Sequence, residues 1–170
     1  AHPHSDGSDR VHIVLNGIIE NHAKLRRRLE EAGEEFTSET DAEVVAHLVA
    51  ARYDGDLTAA VRAAYAELRG HYAFVAAHAD EPGTLVAARK ECPLVVGLGE
   101  GETFVASAIP AFLADTRRVQ LVEDDEIVVI TPAGAQFTTA AGSSPAAWPR
   151  PPLRCAFAPP AFGTRPTGSS

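Results

Sequence analysis

The hydrophobic period of the chain switches from helical to alternating near Gly70, and that switch constrains the fold more than any other feature. Val11 to Leu15 is a short Val/Ile-rich strand. After it, apolar residues recur at three- and four-residue spacing, and beyond Gly70 they alternate. Asn21 to Ala32 is a predicted helix, with Leu25 and Leu29 four apart and Gly33 where a C-terminal cap belongs. A second helix starts at Ser38 to Glu43. Thr40 and Glu43 have the spacing of a capping box, and Asp41 suits the positive helix end. Val44, Val45, Leu48 and Val49 give its apolar face. Tyr53 to Asp56 breaks that helix, and Leu57 to Leu68 resumes the pattern. Strands are expected at His71–His78, Thr84–Arg89, Leu94–Leu98, Glu102–Ala106, Val119–Val122 and Glu126–Thr131, with a short helix at Ile109–Ala114. Turns at 80–83, 99–101 and 123–125 join the strands as three hairpins. Helices followed by a run of strands imply an α+β layered domain with an antiparallel sheet.

The 170 residues suffice for one domain with a real core. The net charge of -8 argues against a nucleic-acid partner. The run Arg26-Arg27-Arg28 sits in a helical pattern with Glu30 and Glu31, which reads as a solvated helix face. No apolar run approaches the roughly 20 residues of a membrane span, and no secretory signal opens the chain. Cys92 and Cys155 lie far apart without CxxC spacing, so a reducing cytoplasmic setting fits better than a disulfide framework or zinc site. His2 and His4 flank Pro3 and read as loop histidines, since a metal would need ligands from elsewhere. None of the 23 acidic residues lies beyond Glu126, whereas most of the 12 prolines lie beyond Thr131. The domain is therefore expected to span 1–131, followed by a Pro/Ala/Gly-rich tail, 132–170. Within the tail only Ala135 to Thr139 could add a strand, and 142–170 is expected to be disordered. The missing Met suggests a fragment, a processed product or an incomplete reading frame.

Asn16-Gly17, at the end of the first strand, reads as a polar turn. A side-chain amide and an unhindered backbone N–H there suit stabilisation of an oxyanion, although Asn-Gly is also an ordinary turn dipeptide. The surroundings sharpen this choice. Ala1-His-Pro-His4, Asn16-Gly-Ile-Ile-Glu-Asn-His22, Ser38-Glu-Thr-Asp41, Glu43-Val-Val-Ala-His-Leu48, Leu85-Val-Ala-Ala-Arg89, Pro93-Leu-Val-Val-Gly-Leu-Gly-Glu-Gly-Glu102 and Phe104-Val-Ala-Ser107 follow one another in order. Over about residues 1 to 131 the chain resembles the glutaminase domain of the glutamine–fructose-6-phosphate aminotransferase (isomerizing) family. It matches less well related amidotransferases such as amidophosphoribosyltransferase.

The resemblance implies an N-terminal-nucleophile hydrolase-like αββα sandwich with antiparallel sheets, here incomplete. It implies cleavage of the glutamine side-chain amide by an N-terminal Cys thiol, with the free α-amine as base and no metal or organic cofactor. Asn16 and Gly17 would form the oxyanion hole. Asp41 would pair with the α-ammonium of glutamine. The family's ammonia passes to a sugar-isomerase domain and aminates fructose-6-phosphate, and the parent enzyme is expected to be a cytoplasmic homo-oligomer.

Several family features are absent. The nucleophilic Cys belongs upstream of Ala1, as does an Arg-Trp-Ala-Thr-His-Gly segment that grips the glutamine carboxylate. The isomerase domain is also missing. Leu15 stands where the family has His, and Ala108 where an Asp follows Ala-Ser. Cys92 precedes Pro93 without an adjacent activating group and reads as structural. The chain alone is thus expected to release no ammonia from glutamine and to be marginally stable. The competing expectations are a non-catalytic remnant that binds glutamine or a partner, and another amidotransferase of the same fold.

Overall fold

A computed structural model describes residues 2–143 and 152–154. The elements run β1 (His4–Ser5), β2 (Val11–Ile19), α1 (His22–Glu31), α2 (Asp41–Arg52), α3 (Leu57–Glu67), β3 (Gly70–His78), β4 (Leu85–Lys90), β5 (Val95–Leu98), β6 (Thr103–Ala106), a 3-10 turn (Ile109–Ala111), β7 (Arg118–Leu121), β8 (Glu126–Thr131), β9 (Gly134–Thr139) and β10 (Leu153–Arg154). Two antiparallel sheets form. One has the order β1-β2-β3-β4-β8-β9, the other β10-β7-β5-β6.

The three helices cover one face of the six-stranded sheet. Val11, Ile13, Leu15 and Ile19 of β2 share a core with Leu25, Leu29, Val44, Leu48, Val61 and Phe74. The second sheet lies against the opposite face, where Ala73, Ala87 and Val128 meet Leu94, Val96 and Val122. The outer face of the second sheet carries Val95 and Val119 beneath Phe112, just after the 3-10 turn. The layers are those of an N-terminal-nucleophile α+β sandwich.

Helix α2 is the central pillar. The sequence pattern shows one apolar face, but every residue from Ala42 to Val49 is buried, because α1 and α3 flank the helix as the sheet supports it. Burying side chains such as Val44, Val45, Leu48 and Val49 contributes roughly 1.5–3 kcal/mol each before entropy is counted.

Several expectations change. Asn16-Gly17 is not a turn: β2 continues through it to Ile19, paired with β3 from Val11↔His78 to Ile19↔Gly70. Nine residues of pairing override the local preference of an Asn-Gly dipeptide, and Gly17 uses its freedom at φ +107° inside the strand. The expected hairpin through 123–125 also does not form. Strand β7 pairs in the second sheet and β8 in the first, so this connection crosses between layers. Arg89 holds the crossing, donating from Nη1 to Val122 O at 2.8 Å and pairing through Nη2 with Asp124 at 2.8 Å. Tyr65 adds a hydroxyl bond to Asp125 Oδ1 at 3.1 Å. Within the tail, β9 supplies the strand expected at Ala135 to Thr139 and pairs with β8 along its length, while Leu153–Arg154, in the stretch expected to be disordered, pairs with β7. The expected disorder at 144–151 and 155–170 lies outside the described residues.

The other two hairpins, β3–β4 and β5–β6, occur as expected. The helix expected at Ile109–Ala114 is a single 3-10 turn. Arg26 and Arg28 of the basic run are tied to acids, Arg26 to Glu30 at 2.9 Å and Arg28 to Glu67 at 2.6 Å.

Candidate functional site

Strand β2 sorts its side chains between two faces. Leu15 and Ile19 point into the helical core, while Asn16 and Ile18 lie on the opposite, exposed face. A small cavity of about 90 Å³ opens beside Asn16, between Val14, Phe74, Leu94, Val105 and Ser107. Asn16 Nδ2 donates to Ser107 Oγ at 3.3 Å, so the second sheet helps to orient the amide. Ser107 belongs to the quoted Phe104-Val-Ala-Ser107 motif, yet its contact with Asn16 spans 91 positions and has no local signature.

Gly17 sits against β3 so closely that no side chain fits. A Cβ there would lie 2.1 Å from His71 O and 2.9 Å from both Tyr72 Cα and Cys92 Sγ. Cys92, half-buried, therefore packs beside the candidate oxyanion-hole glycine, a proximity its sequence position did not suggest. Sγ makes no hydrogen bond among the described residues, which keeps the structural reading of Cys92. Cys155 lies outside the described residues.

Asp41 is the first residue of α2, and its Oδ2 accepts a hydrogen bond from Ile19 N at 2.9 Å. Alternate residues of a paired strand turn their N–H groups toward and away from the neighbour. Ile19 turns its N–H from β3 to Asp41, and Gly17, two residues back, has the same parity. Strand β1 pairs with β2 only at His12 and Ile13. Among the described residues, the edge of β2 beside Gly17 thus has no strand partner. One bond thereby joins the strand carrying Asn16 and Gly17 to the helix start carrying Asp41. Asp41 Oδ1 takes no hydrogen bond among the described residues.

The segment leading into Asp41 is fixed by Glu43. Thr40 caps α2, its Oγ1 accepting from Glu43 N at 3.4 Å, but the second half of the expected capping box is absent. Thr40 N donates instead to Ser38 Oγ at 3.3 Å. The Glu43 carboxylate, freed of that role, accepts from Thr37 N at 2.6 Å, Thr37 Oγ1 at 2.9 Å, Ser38 N at 2.7 Å and Ser38 Oγ. Burial alone would raise the Glu43 carboxyl, but the hydrogen bonds from Ser38 and Thr37 outweigh it and bring the pKa to about 2. Because the folded value lies below the unfolded one, this contribution to stability is complete above about pH 4.5 and fades as the pH falls toward 2.

The rest of the Asn16–His22 motif is scaffolding. Asn21 Nδ2 donates to Glu67 O and Asn21 Oδ1 accepts from Arg69 N, both at 2.9 Å. The His22 ring lies 2.7 Å from Ile19 O through Nδ1. These bonds pin the exit of β2 to the α3–β3 connection. His4 sits in β1 with Nδ1 3.2 Å from Thr40 Oγ1, and His2 packs edge-on against it. Among the described residues no group of three or more His, Cys, Asp or Glu is arranged to hold a metal. Among those residues no helix is long and apolar enough to cross a membrane.

Comparison with known proteins agrees with this fold. The model of the glutamine amidotransferase domain family matches residues 1–114. Glutamine–fructose-6-phosphate aminotransferase (isomerizing) from Symbiobacterium thermophilum is 53% identical over 142 residues, covering 84% of this chain and 23% of that protein. Its counterpart from Mycolicibacterium smegmatis is 49% identical over 148 residues, covering 84% and 24%. The chain thus spans about a quarter of the length of these relatives. Among solved structures, glutamine phosphoribosylpyrophosphate amidotransferase from B. subtilis superposes with a TM-score of 0.67 at 26% identity, covering 81% of this chain and 30% of that one. The allosteric regulatory enzyme of purine biosynthesis shares the fold with a TM-score of 0.70 at 24% identity, covering 82% and 30%. Matched by the family model over most of its length and folded as these relatives are, the chain belongs to the glutamine amidotransferase domain family.

Proposed function

We propose that this chain supplies the glutamine-binding and oxyanion-stabilising part of a glutaminase within a longer enzyme that aminates fructose-6-phosphate to glucosamine-6-phosphate. Asp41 pairs through Oδ1 with the α-ammonium of glutamine. The Asn16 amide and the Gly17 N–H donate to the side-chain amide oxygen as it gains negative charge under thiol attack. The N-terminal Cys that attacks, and the isomerase domain that consumes ammonia, belong to the remainder of that enzyme, which works in the cytoplasm as a homo-oligomer.

The observation that carries this reading is the hydrogen bond from Ile19 N to Asp41 Oδ2 at 2.9 Å. It ties the Asp41 carboxylate on α2 to the strand that carries Asn16 and Gly17, which supports assigning the three to the two ends of one substrate. The 53% identity to a fructose-6-phosphate aminotransferase, against 26% to a phosphoribosylpyrophosphate amidotransferase, favours the amino-sugar enzyme over the alternative. Titration calorimetry with glutamine tests the binding half. Asp41→Ala is expected to weaken glutamine binding by at least tenfold, because a charge-assisted hydrogen bond contributes about 1.5–3 kcal/mol. Undiminished affinity in that variant would refute the assignment of Asp41.

A further inference from the structure

We infer that Glu43, rather than serving as half of a helix cap, is a positioning residue that aims the Asp41 carboxylate at the α-ammonium of the substrate. The inference deepens the proposed function and rests on its assignment of Asp41.

Asp41 has few local means of holding its aim. It is the first residue of α2, and the segment before it, Thr37 to Thr40, has no regular structure and runs along the surface. Such a segment frays unless its backbone groups are tied down. Glu43 ties them. The residue is 2% exposed, and its carboxylate takes two backbone N–H and two hydroxyl donors from consecutive residues, Thr37 and Ser38. Ser38 passes the restraint on, its Oγ meeting both Thr40 Oγ1 at 2.9 Å and Thr40 N at 3.3 Å. Thr40 then precedes Asp41. From the other side Asp41 is held by Ile19 N. The carboxylate is thus clamped between a rigid strand and a loop whose geometry Glu43 dictates, the arrangement that keeps a binding group within a fraction of an ångström of its productive position.

A second buried side chain of α2 holds the same loop. Two titratable rings lie near Glu43: His4, whose Nδ1 is 3.2 Å from Thr40 Oγ1, and His47, fully buried one turn along α2, with Nε2 3.9 Å from Glu43 Oε1 and without a hydrogen-bond partner among the described residues. His47 Nδ1 is engaged with Glu34 Oε2 at 2.8 Å, and Phe36 lies against its ring at 4.2 Å. Glu34 and Phe36 begin the same loop that Glu43 holds at Thr37 and Ser38. Two buried side chains of α2, one turn apart, therefore fasten the whole segment from Glu34 to Ser38 onto the helix.

The test uses two ligands that differ only at the group Asp41 recognises: glutamine, and 4-carbamoylbutanoate, which lacks the α-amine. Calorimetry on the full 170-residue chain compares wild type with Glu43→Gln, which keeps the shape but turns an NH2 toward the Ser38 donors. The expected result is a loss of about tenfold in glutamine affinity with affinity for the analogue unchanged, so that discrimination between the two collapses. Ser38→Ala, which removes one of the four donors, is expected to move in the same direction by a few-fold, and it carries the test if Glu43→Gln does not fold. Equal weakening of both ligands would mark Glu43 as structural only and overturn the inference. So would unchanged discrimination in both variants. Asp41→Ala separates the two levels. Lost discrimination in Asp41→Ala with intact discrimination in the Glu43 and Ser38 variants would overturn this inference alone. A wild-type chain with no preference for glutamine would overturn the Asp41 assignment and the inference with it.

Discussion

Gly17→Ala is expected to cost the domain about 4 kcal/mol, combining about 1–3 kcal/mol for a side chain at positive φ with about 1–3 kcal/mol for overpacking. Two of the three atoms in the way, His71 O at 2.1 Å and Tyr72 Cα at 2.9 Å, are backbone of the neighbouring strand. They cannot move without breaking the β2–β3 pairing. The third, Cys92 Sγ, is a side chain. This difference yields an internal control. The double variant Gly17→Ala/Cys92→Ala removes the thiol contact and leaves the backbone contacts, so it is expected to recover little of the loss. Urea unfolding of both variants against wild type measures the effect. A typical domain has only about 5–15 kcal/mol to lose, so the midpoint shift will be large. A Gly17→Ala chain with a wild-type midpoint would show that β2 does not approach β3 in this way.

The second large effect concerns rate. In the proposed longer enzyme, Asn16→Ala is expected to lower kcat for glutamine hydrolysis by about 100- to 1000-fold, the range for removing one oxyanion-hole donor. KM is expected to change little, because the donor acts on charge that develops only in the transition state. Ser107→Ala removes the hydroxyl that receives one Asn16 N–H at 3.3 Å. It serves as the milder companion, since it frees the amide to rotate without deleting it. A kcat unchanged in Asn16→Ala, measured by ammonia release at saturating glutamine, would move the oxyanion hole elsewhere.

How much of this was visible in the sequence depended on how local the cause was. Helix α1 ends just before Gly33 as its spacing predicts, because periodicity and a cap are properties of neighbouring residues. Thr40 caps α2 for the same reason. The strand through Asn16-Gly17 was hidden because its cause is the edge offered by β3, more than fifty positions away. Strands β7 and β8 were recognisable as strands by alternation, but alternation does not say which sheet a strand joins. That decision rests with Arg89, Tyr65 and the acidic crossing at Asp124 and Asp125.

The candidate site follows the same division. The family resemblance pointed to Asn16, Gly17 and Asp41 individually, and it implied the two-sheet sandwich. Their convergence depends on the contact from Ile19 to Asp41, and no single-residue pattern announces a bond between a strand amide and a helix-start carboxylate. Glu43 shows the reverse case. Its spacing from Thr40 matches a familiar local motif, which concealed its longer reach to Thr37 and Ser38.

The most direct measurement is a nitrogen–proton NMR titration of the 170-residue chain with glutamine, observing backbone and side-chain amides. The expected result is that the Gly17 backbone amide and the Asn16 side-chain amide shift most, accompanied by Ile19 and the Thr40–Asp41 amides at the start of α2. Saturable shifts clustered elsewhere, or no shift at Gly17 and Asn16 while glutamine binds, would contradict the placement of the glutamine site on β2 and α2.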